Sequence, residues 1–275
     1  MSAAQETPSR NTEWPTQWRK PPFIQSAVLR WALLIGSALY LVLAIASLEI
    51  NWQRVILGLD RGWVFVMGFL QPDFTSRWDE ILIGFQESVT MAITSTALGV
   101  LLSIPIAIGA ATNLAPRFIY LFCRAIITIS RTLNEIIVAI FLVAMFGFGP
   151  FAGFLTLTFA TIGFMAKLMA EDIEEIQPSQ LEALRATGAG YVQVLDFAVL
   201  SQVMPRLIGL SLYRLDINFR ESAVIGIVGA GGIGATLNTA MDRYEFDTAA
   251  AIILIIIVIV MAAEYGSSWL RKYIQ

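Results

Sequence analysis

An all-α, polytopic membrane protein with six transmembrane helices is the fold class this sequence predicts, on three observations. Hydrophobic residues fill 57% of the 275 positions and charged ones only 14%. The mean hydropathy of +0.70 lies far from the balance of a soluble globular chain. Several apolar runs approach the roughly 20 residues of helix that cross a bilayer, and most of the charges gather between them.

Composition also excludes chemistry. The chain has no histidine, which removes imidazole metal sites, histidine triads and histidine proton relays together. Its single cysteine, Cys123, has no partner for an internal disulfide and lies in an apolar stretch, where it packs as a small hydrophobe. The net charge of −3 carries little meaning in a membrane protein; the placement of the charges carries more.

Residues 1–23 are polar, contain Arg10, Arg19 and Lys20, and lack the apolar core of a signal peptide. They are expected in the cytoplasm, with Trp14 and Trp18 near the interface. Region 24–80 holds the first span, Trp31 to Leu48, which is about 27 Å of helix at 1.5 Å per residue. Its remainder, Glu49 to Glu80, interleaves apolar patches with Arg54, Asp60, Arg61, Asp73, Arg77 and Asp79, the pattern of an external loop with an interfacial helix.

Region 81–275 is the core. Its first span, the second of the chain, is expected over 88–111 with Pro105 inside it, since neighbouring helices can satisfy the backbone group a proline frees. From Phe118 a slanting entry leads to a third span over 128–146, closed by the turn Gly147-Phe148-Gly149-Pro150. A fourth covers about 151–169, a fifth begins near Pro205, and a sixth covers about 248–270. Lysine and arginine set the orientation. With the N-terminus inside, most of them, including Arg117, Arg124, Lys167, Arg185, Arg206, Arg271 and Lys272, fall on the cytoplasmic side, against Arg54, Arg61, Arg77 and Arg243 outside. Both termini are then cytoplasmic.

The polar loop 171–203, between the fourth and fifth spans, is the most informative stretch. Ser179 with Glu182 three residues on has the spacing of a capping box, so a short helix is expected just after Pro178. Leu181, Leu184, Ala183 and Ala186 give that helix a slim, partly apolar face, and Gly188 ends or bends it. Such a helix can press into a cleft on another protein.

The fifth span carries Arg214, Asp216, Arg220 and Glu221 among apolar residues. A charge at membrane depth costs about 2.5 to 3.5 kcal/mol on insertion scales, so these four need partners or water. Asp216 and Arg220 are four apart and can pair on one helix face, and Arg131 and Glu135 in the third span share that spacing. Two readings follow: self-paired charges that lock helices together, or side chains lining or gating a hydrated path in which arginines favour an anion. Further on, Gly229, Gly231, Gly232 and Gly234 satisfy a dinucleotide-binding spacing, but without the strand and helix of a βαβ unit that spacing predicts a tight external turn or close helix contact instead.

Here the residues carry a family resemblance. Glu182-Ala-Leu-x-x-x-Gly188, with Pro205 beyond it, resembles the coupling loop in membrane subunits of ABC importers. Asp216-Ile-Asn-Phe-Arg-Glu-Ser222 with Gly226-Ile-Val-Gly-Ala-Gly-Gly-Ile-Gly234, together with Gly147-Phe-Gly-Pro-Phe-Ala-Gly153, resembles the permeases of phosphonate, phosphite and hypophosphite importers over about residues 80–272. Leu184 stands where the loop usually has a second alanine, Ser201 where many relatives have proline, and Asn134 where proline is common, so a less kinked helix is expected at Asn134.

The resemblance implies a type I ABC importer permease fold in the bacterial cytoplasmic (inner) membrane. It implies two copies around one path, an external or periplasmic substrate-binding protein, a cytoplasmic ABC ATPase dimer, a small phosphorus oxyanion as cargo, and no nucleic acid partner. Ser179, Glu182, Ala183, Arg185, Ala186 and Gly188 would couple to the ATPase through the 178–205 loop. The chain itself is expected to be non-catalytic and free of cofactors, with ATP and Mg on the partner subunits. None of its three lysines, Lys20, Lys167 and Lys272, follows a glycine as a P-loop requires. The alternative is an ion-coupled secondary transporter of a small anion, which would leave the loop without a purpose and lacks visible internal repeats.

Overall fold

A computed structural model describes residues 26–48 and 51–274. Segment 1–23, expected in the cytoplasm with Trp14 and Trp18 near the interface, lies outside the described residues. By its contacts the chain divides into residues 1–60 and 61–275, and every long element among the described residues is helical.

In the first unit, helix α1 runs over Ala27–Ala46, starting four residues before the expected span because the Ser26 hydroxyl accepts from the Leu29 N–H at 3.3 Å and caps it. Its 20 residues, apolar but for Arg30 and Ser37, make about 30 Å of helix, and side chains such as Leu33, Ile35 and Leu41 are exposed, as lipid-facing ones are. Helix α2, Trp52–Phe69, runs across the division at residue 60 and falls within the stretch expected to hold an interfacial helix. The turn after it is organised by Asp73, whose carboxylate accepts from the backbone and hydroxyl of Thr75 and from Ser76. These hydrogen bonds, led by that of the Ser76 side chain, hold the Asp73 carboxyl below the usual carboxylate range.

The core is built on α3 (Trp78–Ala110) and α6 (Pro150–Glu174), its most extensively packed pair. Helix α3 has 33 residues, begins ten before the expected span and continues through Pro105. Gly84, Ser88, Ala92, Ser95, Gly99, Ser103 and Ala107 recur every three or four residues and are all buried. Small side chains let membrane helices approach closely where lipid gives no hydrophobic drive; a Cβ on Gly99 would stand 2.5 Å from Thr161 Cβ of α6.

Two span expectations are corrected. The stretch expected as a slanting entry and a single third span is a pair of helices, α4 (Arg117–Thr132) and α5 (Glu135–Phe146), meeting at 93°. Asn134 is the corner: its Oδ1 accepts from the Ile136 N–H at 2.9 Å and caps α5, so asparagine in place of proline does not straighten the helix. The fifth span does not begin near Pro205 but runs continuously from α8 (Tyr191–Val194) through a π-helical turn (Leu195–Leu200) into α9 (Ser201–Gly226). Ser201 keeps the backbone N–H a proline would lack, and its hydroxyl donates to the Phe197 carbonyl at 2.7 Å. Among the described residues, five continuous helical runs are long and apolar enough to cross a bilayer, and the bent α4–α5 pair, counted as one span, brings the number to six.

Between α6 and α8 lies α7 (Pro178–Ala186), and between α9 and α11 (Phe246–Ile274) lies α10 (Ile233–Asp242). Helix α10 was not foreseen, being too short and polar to register as a span. Helix α6 leads from the Gly147–Pro150 turn to α7, and α9 returns to the glycine-rich segment, so that turn and that segment share the end of the bundle opposite α7. Gly149 N–H donates to the Gly229 carbonyl at 3.0 Å across them.

Candidate functional site

Helix α7 is shaped from its ends inward. Pro178, with φ preset for a first helical turn and no N–H to leave unpaired, takes the first helical position and makes Gln177 the N-cap. Ser179 therefore sits inside the helix and makes no cap, so the Ser179–Glu182 capping box is not formed. The Gln177 N–H donates instead to Gln202 Oε1 at 3.1 Å, closing the stem of the hairpin.

The C-terminal end follows the sequence reading. Gly188 has φ +79, its N–H donates to the Arg185 carbonyl, and the Ala189 N–H donates to that of Leu184. This is the Schellman arrangement, which needs a left-handed residue and takes glycine readily. The slim face divides in two. Leu181 and Leu184 turn inward onto Val194 and Ala198, whereas Ser179, Glu182, Ala183 and Ala186, spaced to share one helix face, are exposed together with Arg185 and Gly188.

At the other end of the bundle the glycines allow close approach. Gly229, Gly231 and Gly232 have positive φ, and a Cβ on Gly234 would lie 1.9 Å from the Ala223 carbonyl oxygen. Glu87 Oε2 accepts from the Gly232 N–H at 2.8 Å and Ser88 Oγ from the Ile233 N–H at 2.9 Å, fixing the segment to α3. Turn and close contact, the two expectations for this stretch, are both present.

The charges of α9 form two ion pairs. Asp216 and Arg220 pair at 2.6 Å, as their spacing predicts, with the Arg220 side chain 50% exposed. Arg214, its side chain 4% exposed, pairs with Glu221 two turns on at 3.1 Å. Arg214 Nε also donates to Thr161 Oγ1 at 3.1 Å, and its guanidinium lies 5.3 Å from the Phe164 ring centre. The Thr161 hydroxyl donates to Leu157 and accepts from Asn218 Nδ2 at 2.9 Å, which also reaches Thr96 at 2.8 Å. This buried seam across α3, α6 and α9 escaped the sequence reading, which weighed only formal charges; Asn218, four residues from Arg214, was the available signal.

Arg131 and Glu135 do not pair with one another. The four-residue spacing brings side chains together only on an unbroken helix, and α4 ends at Thr132. Both instead line a cavity of about 330 Å³ at the corner, together with Ser130, Thr132, Asn134 and Arg214. The structure thus brings Arg131, Glu135, Arg214 and, through Arg214, Glu221 together, and leaves Asp216 and Arg220 outside this group.

Residues 103–275 match the family described as the binding-protein-dependent transport system inner membrane component. The chain is 40% identical over 245 residues to the phosphate-import permease protein PhnE of Mycolicibacterium smegmatis, an alignment covering 87% of this chain and 44% of that protein. It thus spans less than half of that relative. It is 37% identical over 209 residues to the phosphite transport system permease protein PtxC of Stutzerimonas stutzeri, covering 75% of each. A structure of the MetNI methionine ABC transporter in an inward-facing conformation has the same fold, with a TM-score of 0.65 at 20% identity over 73% of this chain and 99% of that one. A small-residue helix pair, a bent span and a capped polar hairpin are assembled here on the scaffold of a type I ABC importer permease, and the chain belongs to the family of binding-protein-dependent transport system inner membrane components.

Proposed function

We propose that the chain is the permease subunit of an ATP-driven importer that takes up a phosphonate, phosphite or hypophosphite, with both termini in the cytoplasm. Two copies form the path, a cytoplasmic ABC ATPase dimer binds ATP and Mg, and an external or periplasmic binding protein delivers the cargo. The relatives named for phosphate and phosphite support a small phosphorus oxyanion as the cargo class.

The observation that carries the reading is α7. A nine-residue helix, anchored by two leucines and ended by a left-handed glycine, keeps Ser179, Glu182, Ala183 and Ala186 facing outward. Small residues let a partner's groove close around the backbone, while Glu182 and Arg185 supply charge for registration. Movement of the partner ATPases would displace α7 in each copy and rock the spans between outward-open and inward-open states.

The test is a pull-down of tagged protein from its native membranes, comparing wild type with Glu182→Arg and assaying ATP hydrolysis in each eluate. ATPase activity is expected with wild type and lost with the variant, at equal amounts of inserted permease. Wild type that brings down no ATPase under several mild detergents would turn the reading toward the ion-coupled carrier.

A further inference from the structure

At the α7 end of the bundle, three helices are tied to one carboxylate. Glu174 is the last residue of α6, just before the short link to Pro178 of α7. Its Oε1 accepts from the Thr112 N–H at 2.8 Å and from the Arg124 guanidinium at 2.9 Å. Arg124 Nε donates in turn to the carbonyl of Ala110 at 3.0 Å, the last residue of α3, where carbonyls have no partner within their own helix. Beside them Asn113 Nδ2 donates to the Ile173 carbonyl at 2.7 Å. The side chains of Arg124 and Glu174 are only 28% and 25% exposed, so their bond is charge-assisted and better shielded than a surface ion pair.

Arg124 belongs to α4, which packs on α3 and α6. Its buried residues are Cys123, Ile127 and Ser130, while Phe118, Leu121 and Phe122 are exposed. On that narrow seat, Arg124 supplies the one ion pair that α4 makes among the described residues. Arg131 lies close to two turns further along the same face and lines the cavity at the α4–α5 corner. One end of α4 is thus bound to the residue that leads into the hairpin, and the other end forms part of the corner. The second foot of the hairpin is held on α9, through Gln202 to Gln177 and through Arg206, 60% exposed, to Asp172. Sealing the end of α6 would need only the bond from Thr112; the bond from Arg124 adds a link to the helix that makes the corner.

We propose that Glu174 and Arg124 are positioning residues for transport, a clasp that makes α4 and the α4–α5 corner follow the α7 hairpin when the ATPase subunits move it. The proposal rests on the importer reading and adds to it the contact through which the hairpin's motion reaches the bent span. Hydrogen-bonded contacts and rigid helices carry coupling of this kind, and the 16 residues of α4 make about 24 Å of such a helix. With the clasp open, the hairpin still binds and releases its partner, but α4 no longer moves with it.

The test uses vesicles reconstituted with permease, ATPase and binding protein, offered phosphite, hypophosphite and methylphosphonate in separate runs. The readout is the number of ATP molecules hydrolysed per cargo molecule taken up. Arg124→Gln is expected to raise that ratio about tenfold, while hydrolysis itself stays within about twofold of wild type. Glu174→Gln is expected to raise it too, the double variant to go no further than Arg124→Gln alone, and Arg124→Lys to restore most of the coupling, because the two residues act as one unit. A ratio unmoved by Arg124→Gln, including the case in which uptake and hydrolysis fall together, overturns the clasp. So does a double variant whose ratio is the product of the two single effects. Wild-type vesicles that take up none of the three cargoes with ATP refute the importer reading instead.

Discussion

The two ends of the α6 and α9 bundle use glycine for opposite purposes. At the α7 end, Gly188 has φ +79 and nothing within 4 Å of where a Cβ would be; it serves backbone conformation alone and leaves the hairpin's surface open. At the other end, Gly226 and Gly234 hold ordinary helical backbone and serve proximity: a Cβ on Gly226 would meet the Gly231 carbonyl oxygen at 2.6 Å. One end is finished on its own and presents a face outward. The other is finished only by packing against itself and against the Gly147–Pro150 turn.

That contrast orders the effects of substitution. Gly234→Val places branched carbon where backbone already stands, and it is expected to cost about 3 kcal/mol or more, read as loss of monodisperse protein after mild heating in detergent. Arg214→Ala leaves the partly buried Glu221 without its cation and empties the buried guanidinium site, and should cost about 3 kcal/mol by the same assay; a variant as heat-resistant as wild type would show that the α9 seam is not structural. Glu182→Arg is expected to leave heat resistance unchanged while uptake is lost, since its side chain meets only what lies outside the chain.

Smaller changes refine the same picture. Gly188→Ala strains a left-handed position without a clash, so about 1 kcal/mol is expected, confined to α7 and read as faster proteolysis of the hairpin. Asp73→Asn removes a carboxylate held below its ordinary range on an exposed turn. Its contribution is present above about pH 4 and fades as pH falls through the lower folded value, so the two proteins should differ slightly at neutral pH and converge in strong acid.

The features legible in the sequence were those governed by local rules. Apolar run length located the first, second, fourth and sixth spans, i,i+4 spacing paired Asp216 with Arg220, and glycine after a short polar helix marked the end of α7. The misreadings arose where a local rule met a competing one. Pro178 displaced Ser179 from the cap because preset φ outranks a hydroxyl, and Asn134 capped a new helix where the spacing of Arg131 and Glu135 assumed a continuous one. The Arg214–Glu221 pair and the Asn218 seam depend on which face of α9 meets α3 and α6, and that is set by packing between helices rather than by a local rule.

The unbroken run from Tyr191 to Gly226 has a mechanical consequence. Its 36 residues reach about 54 Å at 1.5 Å per residue, from the foot of the hairpin to the glycine-rich segment. A helix is stiff along its axis, so an axial push at Tyr191 arrives at Gly226 with little loss. The place where it yields is the π-helical turn, whose wider winding weakens resistance to bending. The chain thus contains a long rod with a joint near the hairpin. Bending of the rod is therefore expected at Leu195–Leu200 and at Pro205 inside α9, and the remainder to Gly226 should move as one piece.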